Sequence, residues 1–220
     1  CGMHAGVSVG PDGATHQALE DIALMRALPN MIVISPCDAE EGRKATLALA
    51  KAGKPGYMRF GRDKTPMMTT ADSPFEIGKA NVLWNPPAGG SPSVALFATG
   101  PLVHNALQAA LSLEKQDVHV TVTNVHTIKP LDADTILSLA RSAGAVVTVE
   151  EHQIAGGLGS AIAELLAQEF PVPIEFIGVH DQFGQSGTPK ELIEHYKMGV
   201  SHIIEAVKTV AGRKSSALPR

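Results

Sequence analysis

The chain has 220 residues, 44% of them hydrophobic and 18% charged, with a formal net charge of −4 at pH 7. That length accommodates one large domain or two small ones, and the acidic balance gives no reason to expect nucleic acid or an anionic membrane as partner. No apolar run approaches the ~18 residues that span a bilayer, and Cys1 and Cys37 make neither a metal-ligand spacing nor a disulfide framework, so a cytoplasmic protein is expected.

The chain opens on Cys1-Gly2-Met3 and reaches a dense polar motif by Asp12, which points to sequence missing upstream. Helical spacing runs over 17–28, a buried strand over 31–35 and a second helix over 39–52. Asp38 followed by Glu41 is a capping-box pattern for that helix. A strand at 57–60 completes this block, and the polar, unpatterned stretch 64–74 marks a boundary. With so few strands the block is too small to close a doubly wound sheet, and it reads as the rear of a domain, residues 1–66.

The second block, 75–211, has five strands and enough helices to be a domain by itself. The Pro-, Gly- and Ser-rich stretch 85–93 reads as a loop between two strands. Strands at 94–98, 118–122, 145–149 and 174–177 alternate with helices at 103–113, 133–143 and 158–170, with Asp132 placed to cap the middle one. Strands that are apolar throughout and alternate with helices indicate an α/β fold with a mostly parallel sheet covered on both faces. The tail 212–220 reads as disordered.

The chemistry concentrates in Gly10-Pro11-Asp12-Gly13-Ala14-Thr15-His16-Gln17. Here Thr15 is placed to cap the following helix, which would set His16 at the positive end of its dipole and favour the neutral imidazole. A neutral His with Asp12 in the same loop suits binding and proton transfer on a polyhydroxylated substrate. A helix-capping turn with an exposed histidine is the plainer alternative. Next come His4 and Arg62, the latter following Gly61 at the end of a strand, where α/β sheets place ligands and an Arg can grip a phosphate. Its plain alternative is a surface pair with Asp63. Strand alternation turns Arg59 toward the other face. Gly156-Gly157-Leu158-Gly159 resembles a phosphate cradle, but close helix–strand packing accounts for it better. The run Glu150-Glu151-His152 is consecutive rather than spaced for metal ligation.

The loop motif, continuing into Glu20-Asp21-Ile22-Ala23-Leu24-Met25-Arg26 and Pro29-Asn30-Met31, resembles the pyrimidine-binding domain of transketolases. Thr127-Ile128-Lys129-Pro130-Leu131-Asp132 and Val149-Glu150-Glu151-His152, leading into the glycine cluster, resemble the transketolase C-terminal domain. The resemblance implies a partial parallel-sheet pyrimidine-binding domain followed by an α/β domain with a mixed five-stranded sheet. It implies that His16 contacts the ketol group and moves protons, that Asp12 binds a sugar hydroxyl, and that His4 and Arg62 hold a terminal phosphate. Pro11 stands where an acidic residue is common in the family.

The family's Gly-Asp-Gly and paired asparagines, which hold the diphosphate and its metal, are not in this sequence. Nor is the front of the pyrimidine domain with its cofactor-activating glutamate. Thiamine diphosphate with Mg (or Ca) is therefore expected only in the complete enzyme and not on this chain alone. Sugar phosphates and an N-terminal diphosphate-binding domain or subunit are the expected partners, in a homodimer or heterotetramer resembling split transketolases. The C-terminal domain is assigned to assembly and stability. The rivals are a 1-deoxyxylulose-5-phosphate synthase, the beta chain of a 2-oxoacid dehydrogenase, and a non-catalytic assembly or regulatory fragment.

Overall fold

A computed structural model of the chain describes residues 1–87 and 90–215. Two sheets organise it. The smaller joins β1 (Ile32–Ile34) to β2 (Gly56–Met58) in parallel and to β6 (Thr127–Lys129) in antiparallel register. The larger has the order β3-β5-β4-β7-β8, built from Asn81–Trp84, Val120–Asn124, Val94–Ala98, Val146–Gln153 and Ile174–Val179. Its edge strand β3 runs antiparallel to β5 and the remaining pairs are parallel, giving a mixed five-stranded sheet.

Strand alternation decides which helices cover which face. Val94, Leu96 and Ala98 of β4 pack with α3 (Val103–Glu114) and α7 (Val200–Ser215), through Ala106, Ala110, Ile203 and Val207. Ala95 and Phe97 face the other way, toward α4 (Ala133–Ala143) and α5 (Leu158–Glu169). Ile22 of α1 (Asp21–Ala27) and Val33 of β1 join this second core, so the front block is welded to the second domain by shared burial. Each fully buried side chain of the size of Phe97 or Ile22 contributes about 1.5–3 kcal/mol. The front block adds a small core of its own, Ile32, Ile34, Ala45 and Met58, under α2 (Ala39–Lys51).

Four local expectations are corrected. The first helix begins at Asp21 rather than at 17, because Gln17 is extended and buried and Ala14–His16 forms a separate 3-10 turn. Thr15 therefore caps no helix, and His16 stands at the end of the short turn, not at the positive end of a helix dipole. Asp38 caps α2 by accepting from Glu41 N at 2.9 Å, but the Glu41 carboxylate reaches back to Cys37 N at 2.7 Å, one residue short of a reciprocal box. The tail is helical as far as it is described, through Ser215; residues 216–220 of the tail and 88–89 of the 85–93 loop lie outside the described residues. A short helix not expected from sequence, α6 (Pro189–His195), carries a full capping box between Thr188 and Glu191. No helix among the described residues is long and apolar enough to cross a membrane.

Candidate active site

The loop 6–17 carries Asp12 and His16. Its stem is closed where Gly6 N donates to Ala18 O at 2.9 Å and Ala5 bridges Ala18. Val7–Val9 forms one 3-10 turn and Ala14–His16 another, with Gly6, Gly10 and Gly13 at φ of 84°, 88° and 77° between and around them. Those angles suit glycine because an L side chain is strained there. At Gly6 a Cβ would also collide with the Glu151 carboxyl. The turn buries Val7, Val9 and Leu19 and leaves Pro11, Asp12, Thr15 and His16 exposed.

Gln17 holds this shape from inside. Its Nε2 lies 3.2 Å from Val7 O, 3.3 Å from Gly10 O and 3.0 Å from Gln185 O, so two amide hydrogens are shared by three carbonyls. Glu151 holds it from beneath, accepting from Ser8 N at 2.5 Å. Burial pushes the Glu151 carboxyl up, against the pull of the Ser8 amide and Arg59. Glu151 stands at the carboxyl end of β7, beside β4. In the larger sheet the order reverses between these strands, and that crevice is where open α/β sheets receive ligands. Here the Val7–Val9 turn of the front block reaches it instead.

The other expected residues arrive by backbone pairing. Residues 1–5 run beside the continuation of β2: Gly2 N donates to Met58 O at 2.8 Å, Phe60 N to Gly2 O at 2.8 Å and Ala5 N to Phe60 O at 3.0 Å. This ladder brings His4, with φ of 60°, and Arg62 to the same end of the sheet. Arg62 forms an ion pair with Asp12, not with its neighbour Asp63. Thr15 Oγ1 lies 2.9 Å from His16 Nδ1 and leaves Nε2 outward. His4 has no hydrogen-bond partner among the described residues. Asp12 and Arg62 are thus in contact, while His4 and His16 are exposed and make no hydrogen bond with that pair. A cavity of about 380 Å³ has Ser8, Gly61, Pro101 and Glu151 in its wall, and none of the four residues lines it.

Arg59 has a different task. It is 3% exposed, with Nε 2.8 Å from Asp21 Oδ2 and Nη2 serving Ala18 O and Glu151 O at 3.1 and 2.8 Å. Burial works to raise the Asp21 carboxyl, but Arg59 and the Tyr57 hydroxyl outweigh it and leave it below the usual carboxylate range. His152 caps α1, accepting from Ile22 N on Nε2 at 3.1 Å and donating from Nδ1 to Gln153 O at 2.6 Å. Only a neutral ring can do both, and burial, reinforced by Arg59, lowers its pKa accordingly.

The glycine cluster does not cradle phosphate in this chain. Glu150 already occupies the start of α5, accepting from Leu158 N and Gly159 N at 2.7 Å each. Burial pushes its carboxyl up to about 7, against those two amides. Gly156 packs against Ala23 of α1, and Arg26 reaches Gly156 O at 2.6 Å. The turn is a packing device, as close helix–strand packing predicts.

Sequence reasoning missed Gln17 as the loop's internal brace and the segment 181–188 beside it. The Thr-His-Gln motif contained the first signal; the second acts through one backbone carbonyl, Gln185 O, and a single exposed serine, Ser186, neither of which stands out in the sequence.

Comparison with known proteins identifies the family. Residues 1–68 match the transketolase pyrimidine binding domain and residues 88–203 the transketolase C-terminal domain. The chain is 37% identical over 214 residues to the 6-deoxy-6-sulfo-D-fructose transketolase subunit SqwH of Clostridium sp. (strain MSTE9), covering 97% of this chain and 65% of that protein. It is 37% identical to a subunit of the apulose-4-phosphate transketolase of Phocaeicola vulgatus, over 89% of this chain and 61% of that one. A solved split-gene transketolase, an inactive beta4 tetramer, superposes with a TM-score of 0.88 at 40% identity, over 96% of this chain and 66% of its own. The chain thus spans rather less than two thirds of the length of these two curated relatives. With the pyrimidine binding domain and the C-terminal domain both matched, in that order along the chain, the chain belongs to the transketolase family.

Proposed function

We propose that this chain is the C-terminal part of a transketolase, which moves a two-carbon ketol unit from a ketose to an aldose once joined to an N-terminal diphosphate-binding domain or subunit. The observation that supports the reading is the exposed Asp12–Arg62 ion pair, with the exposed His16 four residues from Asp12 in the same loop. In this reading a carboxylate, a guanidinium and the imidazoles of His16 and His4 turn toward one substrate. Arg62 suits a terminal tetrahedral oxyanion, whether phosphate or sulfonate. Asp12 and the outward Nε2 of His16 suit sugar hydroxyls and a proton moving to or from the ketol oxygen.

Thiamine diphosphate, when bound in the complete enzyme, supplies the carbanion stabilisation. The residues of this chain orient the sugar and hold the proton, and the diphosphate and its metal belong to the complementary part. A homodimer or heterotetramer working on sugar phosphates in the cytoplasm is the setting this reading implies.

The test is ketol transfer by this chain completed with its native upstream polypeptide, thiamine diphosphate and magnesium. Donors would be xylulose 5-phosphate, 6-deoxy-6-sulfofructose and apulose 4-phosphate, with ribose 5-phosphate or glyceraldehyde 3-phosphate as acceptor. Transfer from any donor, with none from the 220-residue chain alone, supports the reading. Deoxyxylulose phosphate from pyruvate and glyceraldehyde 3-phosphate, with no ketol transfer, moves the assignment to the synthase.

A further inference from the structure

Between β8 and α6 the chain crosses from the C-terminal domain to the loop that carries Asp12 and His16, and segment 181–188 is tied at both ends. Toward its own domain, Asp181 N donates to Gln153 Oε1 at 3.0 Å and Gln153 Nε2 donates to Gln182 O at 2.7 Å. Tyr196 OH donates to Phe183 O at 2.8 Å. Toward the loop, Ser186 Oγ donates to Pro11 O at 2.6 Å, next to Asp12, and Gln185 O accepts from Gln17 Nε2. The fit is close: Gly184 lies against the Gln17 side chain, a Cβ at Gly13 would stand 3.1 Å from Ser186 Oγ, and one at Gly10 3.3 Å from Pro189.

We propose that segment 181–188 is a positioning clamp for the active-site loop, with Ser186 and Gln17 as its positioning residues. The C-terminal domain then does more than assemble the enzyme, because it sets how Asp12 and His16 are presented to substrate. Ser186 acts at the backbone next to Asp12. Gln17, adjacent to His16, couples Val7, Gly10 and Gln185, so the loop cannot reshape without breaking a contact to the other domain. This rests on the assignment of the loop to ketol transfer, and the experiment therefore has one arm that does not need the reaction.

In that arm, amide hydrogen exchange is measured on the 220-residue chain and on its Ser186→Ala variant. Ser186 is exposed, so the substitution leaves the melting temperature unchanged, while exchange at Gly13 and His16, whose amides donate within the loop at 3.2 and 3.0 Å, becomes severalfold faster. In the second arm the completed enzyme is assayed. Ser186→Ala lowers kcat/KM by about 3- to 10-fold, the range expected for one hydrogen bond. Ser186→Thr restores it, and Gln17→Leu gives a larger loss with cofactor affinity unchanged. Exchange identical to wild type overturns the clamp whatever the reaction proves to be. So does faster exchange with wild-type kcat/KM in an active complete enzyme. If the complete wild-type enzyme transfers no ketol unit, the functional reading fails, and the exchange arm still decides whether the segment holds the loop.

Discussion

Arg62 and Asp12 meet as an ion pair across fifty residues of sequence, with side chains 45% and 36% exposed. If the proposed function holds, a cation and an anion that meet different parts of one sugar are thus already side by side. Exposed pairs of this kind contribute only about 0–1 kcal/mol to folding, so a change at Arg62 can be tested on binding with little loss of stability.

Arg62→Ala in the complete enzyme should raise KM for a phosphorylated ketose on the order of tenfold, the weight of a charge-assisted hydrogen bond. Turnover should change little, and the melting temperature by no more than a degree or two. Steady-state kinetics with matched phosphorylated and unphosphorylated donors checks this. An equal KM increase for both donors would show that Arg62 does not grip the phosphate.

Arg59→Met tests the opposite environment. The substitution leaves Asp21 buried without its cation and removes the donors to Ala18 O and Glu151 O. Stranding a buried charge costs about 3–5 kcal/mol, and chemical denaturation should find a loss of that size. A loss below about 1 kcal/mol would mean that the pair contributes no more than a surface one.

These two arginines show how far the sequence could be read. Strand alternation separated Arg59 from Arg62, because a period of two survives in a strand as short as Gly56–Met58 and its continuation. The strands of the larger sheet were legible because both faces are covered and their residues read as unbroken apolar runs. The start of α1 was not. Residues 17–20 keep helical spacing, yet Gln17 spends its amide on carbonyls of other segments, a tertiary bond that no local periodicity records. β6 is too short to carry a pattern, and it completes the front sheet from the second domain. For α6 a signal existed in Thr188-Pro189-Lys190-Glu191, a capping box with Pro in the first turn. His16 was named as a candidate on the motif, while the dipole argument for its neutrality fell with the helix start.

His126 gives a pH dependence with a definite sign. It is fully buried, stacked on Phe75 with centroids 4.4 Å apart, and burial lowers its pKa from 6.5 to about 4, partly offset by Asp132. A depressed folded pKa means that stability is complete above 6.5 and is lost as pH falls from there toward about 4, by at most about 3 kcal/mol. His152 acts in the same direction, and Glu150, raised to about 7, acts in the opposite one, losing stability as pH rises through that range. A comparison of variants isolates the His126 contribution. His126→Phe should flatten the fall in melting temperature between pH 6.5 and 4.5, and an unchanged slope would contradict the assignment.

Gly6→Ala and Gly53→Ala separate strain from collision. Both glycines have positive φ, 84° and 61°, but a Cβ at Gly53 meets nothing within 4 Å, whereas at Gly6 it runs into the Glu151 carboxyl. Gly53→Ala should cost about 1 kcal/mol from backbone conformation alone. Gly6→Ala should cost at least about 2 kcal/mol, because overpacking adds about 1–3. Equal losses in urea titrations would show that the Glu151 side chain moves aside freely.

His16→Ala tests the chemistry directly. If Nε2 of His16 exchanges a proton with the ketol oxygen, its removal lowers kcat in the complete enzyme by about 10²–10⁴-fold, the usual weight of a positioned acid–base group. KM for the phosphorylated donor should move far less, since His4 and Arg62 remain. Thr15 supplies the internal control, because its hydroxyl lies against His16 Nδ1 at 2.9 Å and holds the ring without touching Nε2. Thr15→Val should therefore lower kcat by a smaller factor, about tenfold or less for one hydrogen bond. A His16→Ala variant with wild-type kcat and a raised KM would recast the residue as a hydroxyl-binding group and leave the proton transfer to another part of the enzyme.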